Sequence, residues 1–301
     1  MQQAKISDPQ HKAASDSAFS TARSALAIIR SSLNLQEFPE ANLEAEILVR
    51  TVLNLDRAQL FAHPEIPLCQ TQVGELKLLL NRRLCREPLP YILGYREFYG
   101  ISYHVNNAVL IPRPETEILV EEAFLWSKER RGPLKIADIG TGSGCIAITL
   151  ATLLPHNTQI IATDISCTAL DVARANANRL KLQGQVQFLQ GDLLGPLTDP
   201  VDLIVANLPY VRSRAFKTLQ NEIRDFEPER SIVGGPDGIE LINQLIQSSP
   251  ALLRPSGAVM LEIDPWQSAP LKKLINSRLP DAAVRIISDL SGDDRVIVIE
   301  T

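Results

Sequence analysis

Cysteine and histidine are scarce in this 301-residue sequence, and no long apolar run is present. The 4 cysteines and 4 histidines are Cys69, Cys85, Cys145 and Cys167, and His11, His63, His104 and His156. Their spacing fits no zinc-binding pattern, so we expect no metal site and reduced cysteines that serve in packing. No apolar run approaches the ~18 residues that cross a bilayer, and the amino terminus lacks the apolar segment of a signal peptide. We therefore expect no membrane partner and a cytoplasmic location, with an organelle left open.

An excess of basic residues is also lacking. The chain has 30 Lys and Arg against 35 Asp and Glu, a net charge of −5. Residues 1–90 carry 10 basic and 10 acidic side chains, which leaves 20 basic and 25 acidic ones for residues 91–301. Proteins that bind duplex nucleic acid strongly carry a basic excess on the binding domain. We therefore expect no strong nucleic-acid binding, and we expect a monomer.

Changes in sequence texture divide the chain into four segments. Residues 1–19 are polar and predict a loose tail. Residues 20–87 place apolar side chains at three- and four-residue spacings, as in "ANLEAEILVRTVLNL", which predicts a small helical domain. Residues 88–114 are rich in proline and aromatic residues and predict a linker with a β-hairpin. Residues 115–301 form the remaining and largest domain.

Strands and helices alternate in this largest domain. Strand patterns lie in "LKIADIG", "TQIIATDI", "VQFLQGD", "VDLIVAN", "AVMLEI", "VRIISDL" and "RVIVIE". Such alternation is typical of a parallel sheet with helices on both faces. Only "SGDD" separates the last two strands, which is too short for a parallel crossover, so these strands should pair antiparallel. The sequence predicts an α/β fold with a doubly wound, Rossmann-like sheet, mainly parallel with an antiparallel C-terminal strand, after a small helical domain.

A glycine-rich loop follows the first strand of the sheet. In "ADIGTGSGCIAI", Gly140, Gly142 and Gly144 permit a tight turn and a close approach of a ligand to the backbone. The helix that follows has unpaired N–H groups at its first turn, which suit a polar ligand. The loop therefore predicts a cofactor site.

Acidic residues end three successive strands. Asp164 ends the second strand, 24 residues after Gly140, where a carboxylate can bind both ribose hydroxyls. Asp192 ends the third strand, within reach of an adenine amine, and Asp138 ends the first strand beside the glycine loop. The choice of ligand lies between a nicotinamide dinucleotide and S-adenosylmethionine. The loop lacks the G-x-G-x-x-G spacing of a dinucleotide site, and the acid beside it suits a cationic ligand with an amino group.

The fourth strand delivers Asn207, Leu208, Pro209 and Tyr210 to the same crevice. The Asn207 carbonyl can accept a hydrogen bond, and Pro209 biases Leu208 towards an extended conformation that turns its backbone carbonyl outward. Tyr210 offers a flat face for stacking. Two acceptors and a ring suit an –NH2 group on an sp² carbon, which is a nucleobase amine or a carboxamide. Holding both N–H groups would aim the nitrogen lone pair at a methyl donor, so that transfer needs positioning more than a strong base.

These motifs resemble those of the class I S-adenosylmethionine-dependent methyltransferases, with "DIGTGSG", "ATDIS" and "GDLL" as successive cofactor motifs. The resemblance implies S-adenosyl-L-methionine as the cofactor. The residues that it assigns to cofactor binding are Asp138, Gly140, Thr141, Gly142, Ser143, Gly144, Asp164, Ile165, Asp192, Leu193 and Asn207.

Longer stretches resemble one family within this class. The segments "PLPYILGYREFYG", "VLIPRPETEILVE", "FEPERSIVGGPDGIELI" and "SDLSGDDRVIVIE" are similar to the protein-(glutamine-N5) methyltransferases of peptide chain release factors. The likeness covers residues 85–301 well and the helical region mainly in architecture. It implies methylation of the glutamine in the Gly-Gly-Gln motif of class 1 release factors. The residues that it assigns to catalysis and substrate binding are Asn207, Leu208, Pro209 and Tyr210, with Arg113 and Glu115 as further substrate-binding residues.

This resemblance also suggests a task for each domain. Residues 20–87 would recognise the body of the release factor, and residues 115–301 would form the methyltransferase domain.

One departure from the family pattern keeps an alternative open. The family usually has Asn-Pro-Pro-Tyr, and this chain has Leu208 in place of the first proline. Asn-Leu-Pro-Tyr is common in rRNA adenine-N6 dimethylases, so the alternative is an adenine-N6 methyltransferase that acts on RNA or DNA. The segments "IPRPETE" and "FEPERSIVGGPDG" have no counterpart there, which favours the release factor. A catalytically inactive binding scaffold and a nicotinamide-dependent oxidoreductase fit the motifs less well.

Overall fold

The computed structural model describes residues 19–301, and the chain divides into two compact units, Met1–Leu93 and Gly94–Thr301. The predicted polar tail lies outside the described residues except for its last residue, Phe19. The Phe19 ring is 1% exposed and packs in the core of the first unit, so it belongs with the helices and not with a solvated tail. Within residues 19–301, no helix is long and apolar enough to cross a membrane.

The first unit is helical, as the apolar spacing predicts. Its helices are α1 (Ala22–Leu35), α2 (Ala41–Leu53), α3 (Arg57–Ala62), α4 (Gln70–Leu84) and α5 (Leu89–Leu93). Helix α1 begins after Thr21, whose side chain accepts a hydrogen bond from the Ser24 N–H while Ser24 bonds back to the Thr21 N–H. The sequence does not reveal α3 and α5, because helices of 6 and 5 residues are too short to display a periodic apolar pattern.

A β-hairpin opens the second unit, within the segment predicted to contain it. Its strands are β1 (Tyr95–Phe98) and β2 (Ile101–His104), paired antiparallel. The Asn176 side chain accepts a hydrogen bond from the His104 N–H at 2.7 Å and donates to the Ser143 carbonyl at 2.9 Å. The hairpin is therefore tied to the glycine loop.

The described residues of the second unit form a seven-stranded sheet. Its strands are β3 (Lys135–Ile139), β4 (Gln159–Asp164), β5 (Val186–Gln190), β6 (Val201–Ala206), β7 (Leu253–Glu262), β8 (Ala283–Ser288) and β9 (Asp294–Glu300). The spatial order is β5-β4-β3-β6-β7-β9-β8, and β9 runs antiparallel to both of its neighbours, β7 and β8. This confirms the predicted fold class. The sequence does not reveal that β9 inserts between β7 and β8, because the short turn before β9 determines only its pairing with β8.

Helices cover both faces of the sheet, since alternate residues of each strand point to opposite sides. These helices are α6 (Thr116–Lys128), α7 (Cys145–Leu153), α8 (Cys167–Arg179), α9 (Asn221–Phe226), α10 (Glu240–Ser248) and α11 (Ser268–Arg278), with 3-10 turns at Ser213–Thr218, Glu229–Ser231, Ser249–Ala251 and Pro265–Gln267. In β3, Ile136 packs in a core with residues of α6, α7 and α8. Its neighbour Ala137 packs in a second core with residues of α10 and α11.

The chain order creates a crevice at one edge of the sheet. From β3 the chain proceeds to β4 and β5 on one side, and β6 then pairs with the other side of β3. In open α/β sheets, ligands bind outside the carboxyl ends of the strands at such a reversal. The glycine loop after β3, Asp164 at the end of β4 and Asn207 after β6 all lie at this edge.

Candidate active site

A cavity of about 280 Å³ opens at the carboxyl ends of β3, β4 and β6. Most of the residues that the sequence assigns to the site line it: Arg113, Gly140, Thr141, Gly142, Ser143, Asp164, Ile165, Asp192, Leu193, Asn207, Leu208 and Pro209. Four others do not: Asp138, Gly144, Glu115 and Tyr210. The fold thus brings together motifs that are spread over nearly a hundred residues of sequence.

The glycine loop has a backbone conformation that residues with a side chain adopt only with strain. Gly140, Gly142 and Gly144 have φ of 74°, 55° and 82°, all in the left-handed region. A Cβ on Gly144 would lie 2.8 Å from Ile148 Cδ1, so Gly144 serves the close packing of α7 and not the cavity wall. A Cβ on Gly142 would meet no atom within 4 Å. The loop backbone therefore faces open space at Gly142, where a ligand can approach it.

Asp138 lies beneath this loop and not on the cavity wall. Its side chain is 0% exposed, and Oδ2 accepts hydrogen bonds from Thr141 Oγ1 at 2.6 Å and from the Ala147 N–H at 3.1 Å. Asp138 shares a strand face with Ile136, two residues earlier, and so points towards α7. Burial raises the pKa of the Asp138 carboxyl to about 7. In this position the carboxyl braces the loop, and a direct contact with a cofactor stays a prediction.

Asp164 and Asp192 lie on the cavity wall. Asp164 Oδ2 accepts a hydrogen bond from the Gly142 N–H and Oδ1 accepts one from the Ser166 N–H, both at 2.9 Å. A carboxylate oxygen has two lone pairs, so each oxygen keeps acceptor capacity for a ligand. Next to Asp192, the Leu193 carbonyl accepts a hydrogen bond from the side chain that precedes Asp164 in β4. Hydrogen bonds thus connect the loops after β3, β4 and β5 around the cavity.

Two residues that the sequence analysis missed, Thr116 and Glu262, lie beside the Asn207 side chain. Asn207 Nδ2 donates to Thr116 Oγ1 at 3.0 Å. The carboxylate of Glu262, at the end of β7, lies beside the side chains of Thr116 and Asn207. Glu262 is 3% exposed, and burial raises the pKa of its carboxyl to about 7. Among the described residues no donor reaches Asn207 Oδ1, while Asn207 itself lines the cavity.

Leu208 packs against the glycine loop. The Leu208 side chain is buried, and a Cβ on Gly140 would lie 3.2 Å from Leu208 Cδ2. Behind it, a Cβ on Gly234 would fall 2.1 Å from the Pro209 carbonyl oxygen, so position 234 accepts only glycine. The Tyr210 ring lies off the cavity wall in a partly buried site, where burial raises the pKa of its hydroxyl. The proposed stacking role of Tyr210 therefore stays a prediction.

Glu227 joins two separate segments of the cavity wall. One oxygen of its buried carboxylate pairs with the Arg113 guanidinium, and the other accepts a hydrogen bond from the Ile111 N–H at 3.1 Å. Pro228 and Arg230 line the cavity beside it. The "IPRPETE" and "FEPERS" segments thus form one side of the cavity, connected through Glu227.

Other residues reach the site without a clear sequence signal. Glu115 is exposed just before α6, makes no capping hydrogen bond and lies off the wall. The unassigned wall residues are Ala108, Val109, Leu110, Pro112, Thr116, Ile139, Cys145, Ile146, Ser166, Ala169, Gly191, Pro228, Arg230, Ser231 and Leu241. Most of them are apolar or small, and no motif marks such positions. Glu262 does have a sequence signal, because it is the acid in "AVMLEI" at the end of a strand. This strand, β7, comes after β6 in the chain and pairs parallel with it.

The strand order and the strand-end residues define a class of protein. A mainly parallel sheet with an antiparallel last strand, a glycine loop after its first strand and an acid after the second is a Rossmann-like methyltransferase fold. The chain superimposes on the hMettl16 catalytic domain in complex with the MAT2A 3′UTR hairpin 6, with a TM-score of 0.53 and 21% identity over 73% of this chain and 81% of that one. A methyltransferase from Pyrococcus furiosus gives 0.50 and 19% identity over 75% and 97%. These likenesses show the fold alone.

Sequence comparison identifies the family. The PrmC N-terminal domain family matches residues 24–94, and the methyltransferase small domain family matches residues 116–225. The chain is 38% identical over 268 residues to the release factor glutamine methyltransferase of Koribacter versatilis, which covers 88% of this chain and 93% of the relative. Identity to the protein of that name from Moorella thermoacetica is 39% over 257 residues, or 84% and 89%. The chain belongs to the release factor glutamine methyltransferase family.

Proposed function

We propose that this chain methylates the side-chain amide nitrogen (N5) of the glutamine in the Gly-Gly-Gln motif of class 1 peptide chain release factors, with S-adenosyl-L-methionine as methyl donor. The observation that carries the proposal is the Asn207 amide at the cavity wall, with its nitrogen held and its oxygen available as an acceptor. The names of the relatives that match most of the chain support the choice of acceptor protein.

The cavity residues fit S-adenosyl-L-methionine. The carboxylates of Asp164 and Asp192 provide acceptors for ribose hydroxyls and an adenine amine, and their negative charge suits a cationic ligand. A Cβ on Gly142 would meet no atom within 4 Å, so the loop backbone there is accessible to the ligand. When bound, the cofactor supplies an electrophilic methyl group on a positively charged sulfur. Asp138, with the loop residues Thr141 and Ser143, contributes by holding the loop in shape.

The acceptors at Asn207 and Leu208 account for the chemistry of the methylated nitrogen. The Asn207 Oδ1 atom and the Leu208 carbonyl oxygen each accept one N–H of the glutamine amide. Because an amide lone pair is delocalised, fixing both N–H groups favours a pyramidal nitrogen whose lone pair points at the methyl carbon. With the cofactor held by the cavity residues, its methyl group would pass from sulfur to this nitrogen, which would release one proton to water. This reaction needs positioning, and no strong base in the cavity.

The Arg113 guanidinium supplies the border of the substrate site. Glu227 pairs with one of its nitrogens, and in this proposal its other N–H groups donate to the backbone of the bound glutamine. In the same proposal Pro209 fixes the conformation of Leu208. Tyr210 and Glu115 complete the substrate site from outside the wall.

The test of this function is methyl transfer from labelled cofactor to three acceptors. These are a class 1 release factor, the same factor with its Gly-Gly-Gln glutamine changed to alanine, and rRNA. We expect label on the unchanged factor alone. Equal labelling of the two factors excludes the glutamine as acceptor, and preferential labelling of rRNA supports the adenine alternative that Leu208 suggests.

We also propose that the helical unit recognises the body of the release factor. Leu35, Phe61 and Leu78 are large apolar side chains exposed on this unit. Replacing all three with lysine should raise KM for the intact factor while leaving the affinity for the cofactor unchanged. An unchanged KM would assign recognition to the second unit. The full-length parent protein, measured beside the triple variant, is the reference.

A further inference from the structure

The direction of the Leu208 carbonyl depends on the backbone on either side of it. The peptide bond between Leu208 and Pro209 is planar, and the proline ring fixes φ of Pro209 at about −65°. Only ψ of Pro209 then separates the Leu208 carbonyl from the Pro209 carbonyl. The Leu208 side chain is buried against Gly140, which holds the first of these groups from one side. A contact that holds the Pro209 carbonyl therefore limits how far the Leu208 carbonyl can turn.

A second segment of the chain runs beside the residues that follow the acceptors. It consists of residues 232–238, "IVGGPDG", which we call the supporting loop. The Val211 N–H donates to the Ile232 carbonyl, and the Gly234 N–H donates to the Val211 carbonyl, both at 2.9 Å. Backbone hydrogen bonds thus join the supporting loop to the chain directly after Tyr210.

Two glycines of the supporting loop cover two consecutive carbonyls. A Cβ on Gly234 would fall 2.1 Å from the Pro209 carbonyl oxygen, and a Cβ on Gly238 would fall 2.2 Å from the Tyr210 carbonyl oxygen. Both distances are far below van der Waals contact, so each position has room for a hydrogen atom and for no side chain. The Pro209 and Tyr210 carbonyls are therefore blocked from turning towards the supporting loop.

A buried glutamine anchors the supporting loop to the sheet. Gln267 is 0% exposed, and its Nε2 donates to the Gly238 carbonyl at 2.8 Å while its Oε1 accepts from the Asp264 N–H at 2.8 Å. A carbonyl and an N–H as partners admit only this orientation of the amide. Asp264 follows β7, the strand that pairs with β6. Gln267 thus ties the glycine that covers Tyr210 to the sheet that carries Asn207.

We propose that Gln267 is a positioning residue that holds the supporting loop against Pro209 and Tyr210 and so keeps the Leu208 carbonyl directed at the substrate nitrogen. This inference rests on the proposed function and adds a residue to it. Neither Gln267 nor Gly238 lines the cavity, so Gln267 acts without touching the reacting atoms.

The same arrangement gives a physical meaning to the leucine at position 208. A proline there would fix one more φ angle and stiffen the acceptor turn from within. With leucine at this position, the turn depends more on support from the neighbouring loop. The contribution of Gln267 should therefore depend on which residue occupies position 208.

Gln267→Met tests the positioning role, because it removes both hydrogen bonds and keeps a side chain of similar length. It should lower kcat for a release factor about tenfold, the usual effect of one lost hydrogen bond. KM for the factor and the affinity for the cofactor should change less than about twofold, since Gln267 lies off the cavity wall. The value of kcat is expressed per cofactor-binding site from calorimetric titration, so that unfolded protein does not count. An unchanged kcat would overturn the proposal.

Asp264→Ala is the matched control. The Asp264 side chain accepts a hydrogen bond from the Trp266 N–H at 3.3 Å, within the 3-10 turn that also contains Gln267. Its loss loosens the same turn and leaves the bond from Gln267 to Gly238 in place. We expect this control to change kcat less than about twofold. An equal fall of kcat in both variants would assign the effect to the turn and contradict a role through Gly238.

The Leu208→Pro background separates positioning from stability. In this background Gln267→Met should lower kcat less than about threefold, because the second proline holds the turn from within. If Gln267 only stabilised the fold, the losses of stability from the two substitutions would add, and the factor would stay the same or grow. Either of those results would overturn the positioning role.

The parent protein separates the two levels of the argument. If the parent fails to label the glutamine, the proposed function is rejected, and the role of Gln267 with it. If the parent labels the glutamine and Gln267→Met behaves like Asp264→Ala, the role of Gln267 alone is rejected.

Discussion

Asp164 and Gly142 are joined directly, because the Asp164 carboxylate accepts the Gly142 N–H at 2.9 Å. The acid that we assign to the ribose therefore also holds the middle of the glycine loop. This double use explains why the two motifs occur together. A single substitution at Asp164 should act on the cofactor through both a lost ligand contact and a looser loop.

Asp164→Ala should weaken the binding of S-adenosylmethionine by about 10- to 150-fold. The estimate follows from the loss of one hydrogen bond to a charged acceptor, at roughly 1.5–3 kcal/mol. Calorimetric titration measures it. Asp171→Ala is the control, since Asp171 is exposed in α8 and pairs with Arg174 in the same helix.

A cofactor analogue separates the two roles of Asp164. The parent should bind a 2′-deoxyribose analogue more weakly than the natural cofactor, and Asp164→Ala should bind the two alike. Unchanged cofactor affinity in a folded Asp164→Ala protein would remove the ribose assignment.

Glu227→Ala should destabilise the second unit by about 1–3 kcal/mol, because it leaves the Ile111 N–H buried without a partner. The Arg113 guanidinium is partly exposed, so water can replace its lost carboxylate and keep the cost at this level. Urea unfolding measures the change. Asp225→Ala is the matched control. Asp225 lies two residues before Glu227 in the sequence and forms an exposed ion pair with Arg224. The control should change the free energy of unfolding less than Glu227→Ala does, because solvent screens an exposed ion pair. Equal effects of the two substitutions would show that the Glu227 contacts add nothing.

Much of the fold and part of the site could be predicted because their signals are local. Strands buried on both faces appear as continuous apolar runs, and a glycine loop between a strand and a helix needs few neighbours to be recognised. Asp164 and Asn207 were found because each directly ends or follows such a run. Once strands are parallel, their ends share one edge.

The missed residues act through contacts that sequence spacing does not show. Thr116 and Asn207 are 91 residues apart, and Ile111 and Glu227 are 116 apart. Asp138 could have been interpreted better, since it lies one residue before the end of β3 and so points to the α7 face. No local pattern in the sequence indicates that β9 pairs with β7 as well as with β8.

Stability should fall as the pH rises from about 4.5 to about 7. Burial raises the pKa of the Glu262 and Asp138 carboxyls to about 7, from ordinary values of 4.5 and 3.8. The folded protein therefore holds protons that the unfolded chain has already lost. The stability that these protons provide is complete below the unfolded pKa and is lost as the pH rises through the folded one.

Glu262→Gln isolates one of these contributions. Between pH 5 and pH 8, the fall in the free energy of unfolding should be smaller in this variant by up to about 3 kcal/mol. The charged groups that act on Glu262 are Glu115, which raises its pKa, and Arg295, which lowers it, and both are kept in the variant. Urea unfolding at each pH measures the slope. The same slope in variant and parent would mean that Glu262 titrates normally.

Asn207→Ala should lower kcat for a release factor by about 10²-fold, because it removes an acceptor that is positioned for the transition state. It also leaves one N–H of the substrate unpaired. Cofactor affinity should change little, since the lost oxygen faces the amide. A fall in cofactor affinity that matches the fall in kcat would show that Asn207 acts through its other assigned role, cofactor binding.

Leu208→Pro should separate the backbone of position 208 from its side chain. Only the carbonyl of residue 208 is proposed to bind the substrate, so kcat should stay within roughly tenfold of the parent. The leucine side chain is buried against Gly140, and its loss should lower the free energy of unfolding by about 1–4 kcal/mol, since the stiffer proline offsets about 1 kcal/mol of a cavity cost of about 2–5 kcal/mol. Methyl transfer to a release factor and urea unfolding measure the two effects. A loss of kcat far beyond tenfold in a folded protein would show that the leucine side chain itself shapes the acceptor site. Labelling of rRNA by the parent that disappears in Leu208→Pro would make Leu208 the residue that selects a nucleobase over a glutamine.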